Sequence, residues 1–218
     1  MRYFNALIVI LLLIVTCKQH DSGKSNNDVN NDKDSISKNF QKNNEPVSKS
    51  DNDTVLISLS INILKSLKTQ DYSRLSEFIH PEFGIRFSPY GNIDTIKDQR
   101  LSKKELIRLS RNQKTIKWGI FEGTGEPINL NIRQYFKRFV YDVDFLNAEK
   151  KSVNKIIGKS TSSINLESIY PKCDFTEFYF SGFEPKYEGM DWRALILVFK
   201  GQDAKPYLVA IIHDQWRI

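Results

Sequence analysis

The chain predicts an α+β fold, and three observations carry that expectation. Leu56, Leu59, Ile63, Leu64 and Leu67 fall at helical spacing early in the chain. The last third holds β-prone segments, Phe175 to Phe183, Ala194 to Phe199 and Tyr207 to Ile212. Gly201-Gln202-Asp203-Ala204, between the last two, turns them into an antiparallel hairpin. Helices first and strands afterwards is segregated order, the mark of α+β architecture.

Each element has its own signal. Asp53-Thr54 offers caps for the first helix. Asp71 caps a second, short one that puts Leu75, Phe78 and Ile79 on one face, and Pro81 stops it. Ile85-Arg86-Phe87 reads as a brief strand. Ser102 and Glu105 form a capping box that opens a basic helix burying Leu106 and Leu109. Ile116, Trp118 and Ile120 alternate as in a strand, before the turn Glu122-Gly123-Thr124-Gly125. Asn131 and Gln134 start another helix, whose Ile132, Tyr135, Phe136, Phe139 and Val140 form one apolar stripe. Ala194–Phe199 and Tyr207–Ile212 are apolar on both faces, which predicts central strands.

The start of the chain carries an address. Met1-Arg2 is a short positive start and Ala6 to Val15 an unbroken apolar run, ended by Ile14-Val15-Thr16-Cys17. The run suits a signal sequence and is shorter than the roughly 20 residues a membrane span needs. The tetrapeptide resembles a lipobox, with Thr16 where Gly, Ala or Ser is usual. The resemblance implies lipidation of Cys17 and partnership with the membrane through a lipid anchor; an uncleaved signal anchor is the alternative. Lys18 stands where inner-membrane lipoproteins often carry Asp, so the expected location is the cell envelope at the outer membrane. Residues 18–52 are mostly Asn, Lys, Asp and Ser, too polar to offset the entropy of ordering, and read as a disordered tether. The expected organisation is therefore a signal peptide over 1–17, a tether over 18–52 and a globular domain over 53–218.

Charge and cysteine usage narrow the function classes. Lys18–Asp53 holds six lysines against seven acidic residues, so the net +6 of the 218-residue chain resides in the domain. Its densest stretch is Lys97 to Lys117, a solvated helix face or a contact for anionic lipid or envelope polymer. An exported protein rarely meets nucleic acid, so no nucleic-acid partner is expected. With Cys17 lipidated, Cys173 has no partner for an internal disulfide. No CxxC, HExxH or phosphate loop occurs, so no metal and no cofactor is implied. Gly119, Gly123 and Gly125 read as turn formers.

The element order over about Asp53 to Ile218 resembles the NTF2-like fold, a curved antiparallel sheet packed on a long N-terminal helix to form a cone. Five segments resemble a group of uncharacterised exported bacterial proteins. They are His80–Tyr90, Trp118–Pro127, Phe139–Phe145, Gly189–Arg193 and His213–Trp216. That resemblance implies a secreted or lipid-anchored domain and brings no catalytic residues with it.

The hairpin concentrates the chemistry. Asp191-Trp192-Arg193 and His213-Asp214-Gln215-Trp216 lie about equally far from the turn, so antiparallel pairing sets them side by side. Alternation lets only one of His213 and Asp214 face a cone interior. Asp214 follows Leu208, Ala210 and Ile212, while His213 follows Tyr207, Val209 and Ile211. Either is a candidate catalytic base, its pKa set by desolvation. Asp191, Trp192, Arg193 and Trp216 are candidate ligand contacts beside them. Arg86, Ser88 and Tyr90 alternate along the first strand toward the same cavity, and Trp118 is a candidate ligand platform. All of these residues also have structural readings: mutual ion pairing, packing and a strand running into a turn. Asp142 and Asp144, two carboxylates at i, i+2 where a helix passes into strand, can flank a reaction centre or face water. Two functions follow: a non-catalytic module binding a small ligand, glycan or envelope protein, or a small isomerase- or hydrolase-like enzyme.

Overall fold

A six-stranded sheet built around the C-terminal hairpin organises the molecule. The computed structural model describes residues 49–158, 164–203 and 205–216, all within the unit Glu45–Ile218. The signal sequence, Cys17 and the tether up to residue 48 lie outside the described residues.

Two helices come first. α1 (Lys49–Lys68) begins ahead of Asp53-Thr54, and the Thr54 hydroxyl donates back to Ser50 O (3.0 Å) inside the helix rather than capping it. Its stripe of Leu56, Ile63, Leu64 and Leu67 is buried in one core with Phe178, Leu195 and Leu197 of the sheet. Each such side chain contributes about 1.5–3 kcal/mol by leaving water. Ser60 carries a polar link across this contact: its hydroxyl donates to Leu56 O (2.7 Å) and lies 2.8 Å from Thr176 Oγ1. α2 (Tyr72–Phe78) is capped by Asp71, whose carboxylate accepts from Arg74 N.

β1 (Ile85–Ser88), β2 (Gln99–Leu101), α3 (Lys103–Asn112), β3 (Ile116–Ile120), β4 (Pro127–Leu130) and α4 (Ile132–Phe139) follow. Both expected capping boxes form, at Ser102/Glu105 and Asn131/Gln134. Then come β5 (Lys150–Val153), α5 (Leu166–Ile169), β6 (Asp174–Phe180), β7 (Arg193–Gln202) and β8 (Lys205–Gln215). The strand order is β2-β1-β8-β7-β6-β5, with β3 and β4 as a separate pair. The architecture is α+β, with a curved sheet that does not close.

Three features depart from the sequence expectation. The sheet is mixed rather than antiparallel, because β1 runs parallel to β8 with Phe87 opposite Ile211. The open edge of the hairpin takes β1, and His80 N, just ahead of it, donates to Leu208 O (3.0 Å). The second departure is a bulge: Val198 pairs with Ala210 but Phe199 with Leu208, which leaves Val209 extra. Leu208 therefore shares the inner core with Ile211, while Val209, Ala210 and Ile212 pack on the outer face. Third, β2, β4, β5 and α5 were not expected; β5 (Lys-Lys-Ser-Val) is an edge strand with little buried surface, so it has no alternation to read.

Phe87 anchors the inner core, in edge contact with Trp118 (5.6 Å between centroids) and Tyr135 (6.1 Å). Trp118 stacks on Tyr135 at 4.1 Å and donates from Nε1 to Leu130 O (2.9 Å). Beside this cluster, Asp98 is 8% exposed. Burial raises its carboxyl from the ordinary 3.8 to about 6, against the pull of its hydrogen bonds. A folded-state value above the unfolded one means a contribution present below about pH 4 and lost as pH rises through about 6. Wild type should therefore lose about 3 kcal/mol relative to Asp98→Asn between those limits. Urea melts across that pH range check this; parallel curves for the two proteins would refute it.

Candidate functional site

β7 and β8 pair with Arg193 opposite Gln215, Ala194 opposite Asp214 and Leu195 opposite His213. The hairpin thus brings Asp191-Trp192-Arg193 and His213–Trp216 to one end of the sheet, and strand alternation then divides them. His213 lies on the inner face with Leu195 and Ile211 and meets Phe139 edge-on at 6.3 Å. Asp214 lies on the outer face with Ala194 and Ile212.

The inner constellation turns on Asp142, which follows α4. Its Oδ2 accepts from Arg193 Nε (2.8 Å), and its Oδ1 lies 3.1 Å from His213 Nε2. A carboxylate only accepts, so Nε2 carries the proton of that bond. Burial pushes the Asp142 carboxyl up, but the bonds from His213 and Arg193 outweigh it and hold the group below the usual carboxylate range. Arg193 is fixed further by Nη1, which donates to Asp191 O (3.1 Å) and Trp192 O (2.9 Å).

Two clefts meet at Arg193. The larger, about 640 Å³, is lined by Tyr90, Gln134, Lys137, Arg138, Phe139, Asp142, Arg193 and Gln215. The smaller, about 290 Å³, is lined by Tyr187, Met190, Asp191, Arg193, Gln215 and Trp216. Arg138 lies 4.7 Å from the Phe121 ring centroid and 5.3 Å from that of Phe139, so an aromatic pair holds its guanidinium. The larger cleft thus shows three cations and one carboxylate, on a floor of Tyr90 and Phe139.

The remaining sequence candidates are spread more widely. Asp191 lines the smaller cleft, with its carboxylate turned to Phe183 N (3.0 Å) and Glu184 N (2.8 Å). Trp216 lines that cleft too, whereas Trp192 is buried on the outer face against Tyr179 and Ala194. Trp118 is fully buried and belongs to the core. Arg86 and Tyr90 do not share a cavity. β1 ends at Ser88, and Arg86 points to the outer face, where Nε donates to Tyr170 Oη (3.2 Å).

His213 is 0% and Asp214 1% exposed, so neither lines a cleft. Asp214 Oδ1 accepts from Gly91 N (3.3 Å) and Gln215 N (3.1 Å). In the sequence Asp142 stands out only as one of two carboxylates and not as the partner of Arg193 and His213, and Lys137 and Arg138 are not singled out. Asp144 stays at the surface, bound by Lys68 Nζ (2.7 Å), whereas Asp142 is mostly buried at the wall of the larger cleft. Of Tyr141–Phe145 only Phe145 is buried, so this loop carries no alternation to read. Among the described residues no group of three potential metal ligands converges.

Comparison with family models, curated proteins and solved structures found no match for the chain.

Asp142→Asn keeps one acceptor oxygen but sets an amide NH2 against Arg193 or His213, and should cost about 1–3 kcal/mol near neutral pH. Because the folded-state value of Asp142 is depressed, its contribution exists above the ordinary carboxylate pKa and fades as pH falls through the folded one. Chemical denaturation should show the gap between variant and wild type narrowing below about pH 4. A gap independent of pH would refute the assignment.

Proposed function

We propose that the chain is a lipid-anchored envelope protein whose NTF2-like domain binds a small anionic ligand at the hairpin end. The observation that carries the reading is Arg193, held from behind by Asp142 and opening on a cleft it shares with Lys137 and Arg138. With Nε and Nη1 bonded to the protein, Arg193 Nη2 remains to donate to an anion, beside the charges of Lys137 and Arg138. Tyr90 and Phe139 add an apolar floor, as small-ligand sites usually have. The anchor rests on the apolar run ending at Cys17 and the polar stretch behind it. The NTF2-like reading rests on element order and on the burial of the α1 stripe against the curved sheet.

The alternative, an isomerase- or hydrolase-like enzyme, needs a base that substrate can touch. A base must come within hydrogen-bond reach of the proton it takes. His213 and Asp214 lie inside the protein, which favours the binding module.

Two measurements test the proposal. Labelled fatty acid should enter the full chain and not Cys17→Ser; equal labelling of both would sink the anchor. Small carboxylates and sulfates, screened by ligand-observed NMR, should bind the wild type and lose ~10-fold in affinity with Arg193→Gln. Hits that bind the variant equally well would remove the hairpin end as the site.

A further inference from the structure

We propose that a separate cleft on the outer face of the sheet binds a phosphate monoester carried on an apolar body. This inference is independent of the reading of the hairpin end. The cleft encloses about 300 Å³ and draws one cation from each of three strands: Arg86 of β1, Arg100 of β2 and Lys200 of β7. Phe83, Tyr170 and Val209 supply much of its apolar wall.

The three cations lack ionic partners: among the described residues, no carboxylate oxygen comes within 4.0 Å of any of them. Nearby acidic groups are engaged elsewhere. Asp174 accepts from Asn154 Nδ2 (2.8 Å), Glu82 from Gln202 Nε2 (3.4 Å) and the buried Asp98 from Asp94 N (2.9 Å). Neutral acceptors aim the cations instead. Arg86 Nη1 donates to Thr95 O (3.0 Å) and Asp98 O (3.2 Å), its Nε to Tyr170 Oη, and Arg100 Nε to Phe83 O. Lys200 Nζ stands 3.8 Å from the Phe83 ring centroid, and that ring is 39% exposed.

The field of these charges reaches further. Burial first, then Lys200, Lys103 and Arg100, hold the His80 imidazole below its usual range against the pull of Glu82. Its Nδ1 accepts from Glu82 N and Phe83 N (both 3.2 Å), as a neutral ring does.

Ligand charge and shape follow from this arrangement. A carboxylate would offset one of three converging cations, whereas a phosphate monoester carries about −1.5 to −2 at neutral pH. With Arg86 Nε and Nη1 and Arg100 Nε already bonded to the protein, Nη2 of Arg86, both Nη groups of Arg100 and the Lys200 ammonium remain to meet its oxygens. An exposed phenyl ring beside them has no role in phosphate binding alone, but it gives an apolar ester group a wall to lie on.

Cys173 lines the same cleft and reports on occupancy. In the full chain carrying Cys17→Ser it is the sole thiol, since the sequence has two cysteines. Phenyl phosphate should slow alkylation of Cys173 by N-ethylmaleimide; inorganic phosphate should need ~10-fold higher concentration, and phenol should not protect. Lys200→Gln and Arg100→Gln, both at the rim, should each raise the half-protecting concentration ~10-fold, while Arg111→Gln on α3 leaves it unchanged. Phosphatidylcholine vesicles containing phosphatidic acid separate the sources. Protection by phenyl phosphate alone marks a soluble ester, and protection by the vesicles as well marks a lipid headgroup. Absence of protection by both, or equal protection in the Lys200 and Arg100 variants, overturns the site.

Discussion

Everything at the hairpin end depends on the Asp142 carboxylate. It joins the segment after α4 to β7 through Arg193 and to β8 through His213, with bonds of 2.8 and 3.1 Å. A charge of this kind is expensive to bury, and its bonds are what make burial tolerable. The consequence is geometric. α4, which brings Gln134, Lys137 and Arg138, and the hairpin, which brings Arg193 and Gln215, meet across the group that Asp142 ties together. That tie is a polar connection between the two walls of the larger cleft. The same bond turns the Nε2–H of His213 toward Asp142, inside the protein rather than toward the cleft.

The outer face solves a similar problem with backbone instead of ion pairs. Glu177 and Asp214 are 0% and 1% exposed there, and each meets the main chain at a glycine. Glu177 accepts from Ile157 N and Gly158 N, and Asp214 from Gly91 N. A side chain at Gly158 would stand 2.9 Å from Glu177 Oε1, and one at Gly91 2.6 Å from Asp214 Oδ2. Only glycine lets the backbone approach so closely. Burial, helped by the charge of Asp214, raises the Glu177 carboxyl above its usual range. These carboxylates hold covering loops on the sheet, a structural task that leaves them away from solvent.

Much of this was legible in the sequence, and the reasons for the rest are physical. Caps at Asp71, Ser102 and Asn131, the apolar stripes of α1 and α4 and the strands of the hairpin all depend on local chemistry, and all formed. The side-by-side placement of Arg193 and His213 was legible too, because equal distance from a turn determines pairing. What remained hidden needs contacts distant in sequence. The bulge at Val209 moves Leu208 to the inner face, and no residue type announces it. The partner of Arg193 proved to be Asp142 rather than a carboxylate on the hairpin, a pairing that only the packing of α4 decides. Arg86 and Tyr90, two and six residues beyond Gly84, part company because β1 ends between them.

The distribution of charge gives the two faces different characters. The net +6 is not spread evenly over compensated pairs. Arg193 and Lys68 are held by Asp142 and Asp144, so their charge is largely neutralised where they stand. Arg86, Arg100 and Lys200 are held by carbonyls, a phenol and a ring, which orient a cation without cancelling it. Neutral anchoring keeps side-chain entropy low while leaving the field intact, and an intact field attracts anions over roughly a Debye length, about 8–10 Å at physiological salt. The Asp142 side therefore presents one partly neutralised guanidinium, while the Arg86 side presents three cations without a carboxylate within 4.0 Å among the described residues. The carboxylates nearest to hand, those of Asp98, Asp174 and Glu82, accept instead from Asp94 N, Asn154 Nδ2 and Gln202 Nε2.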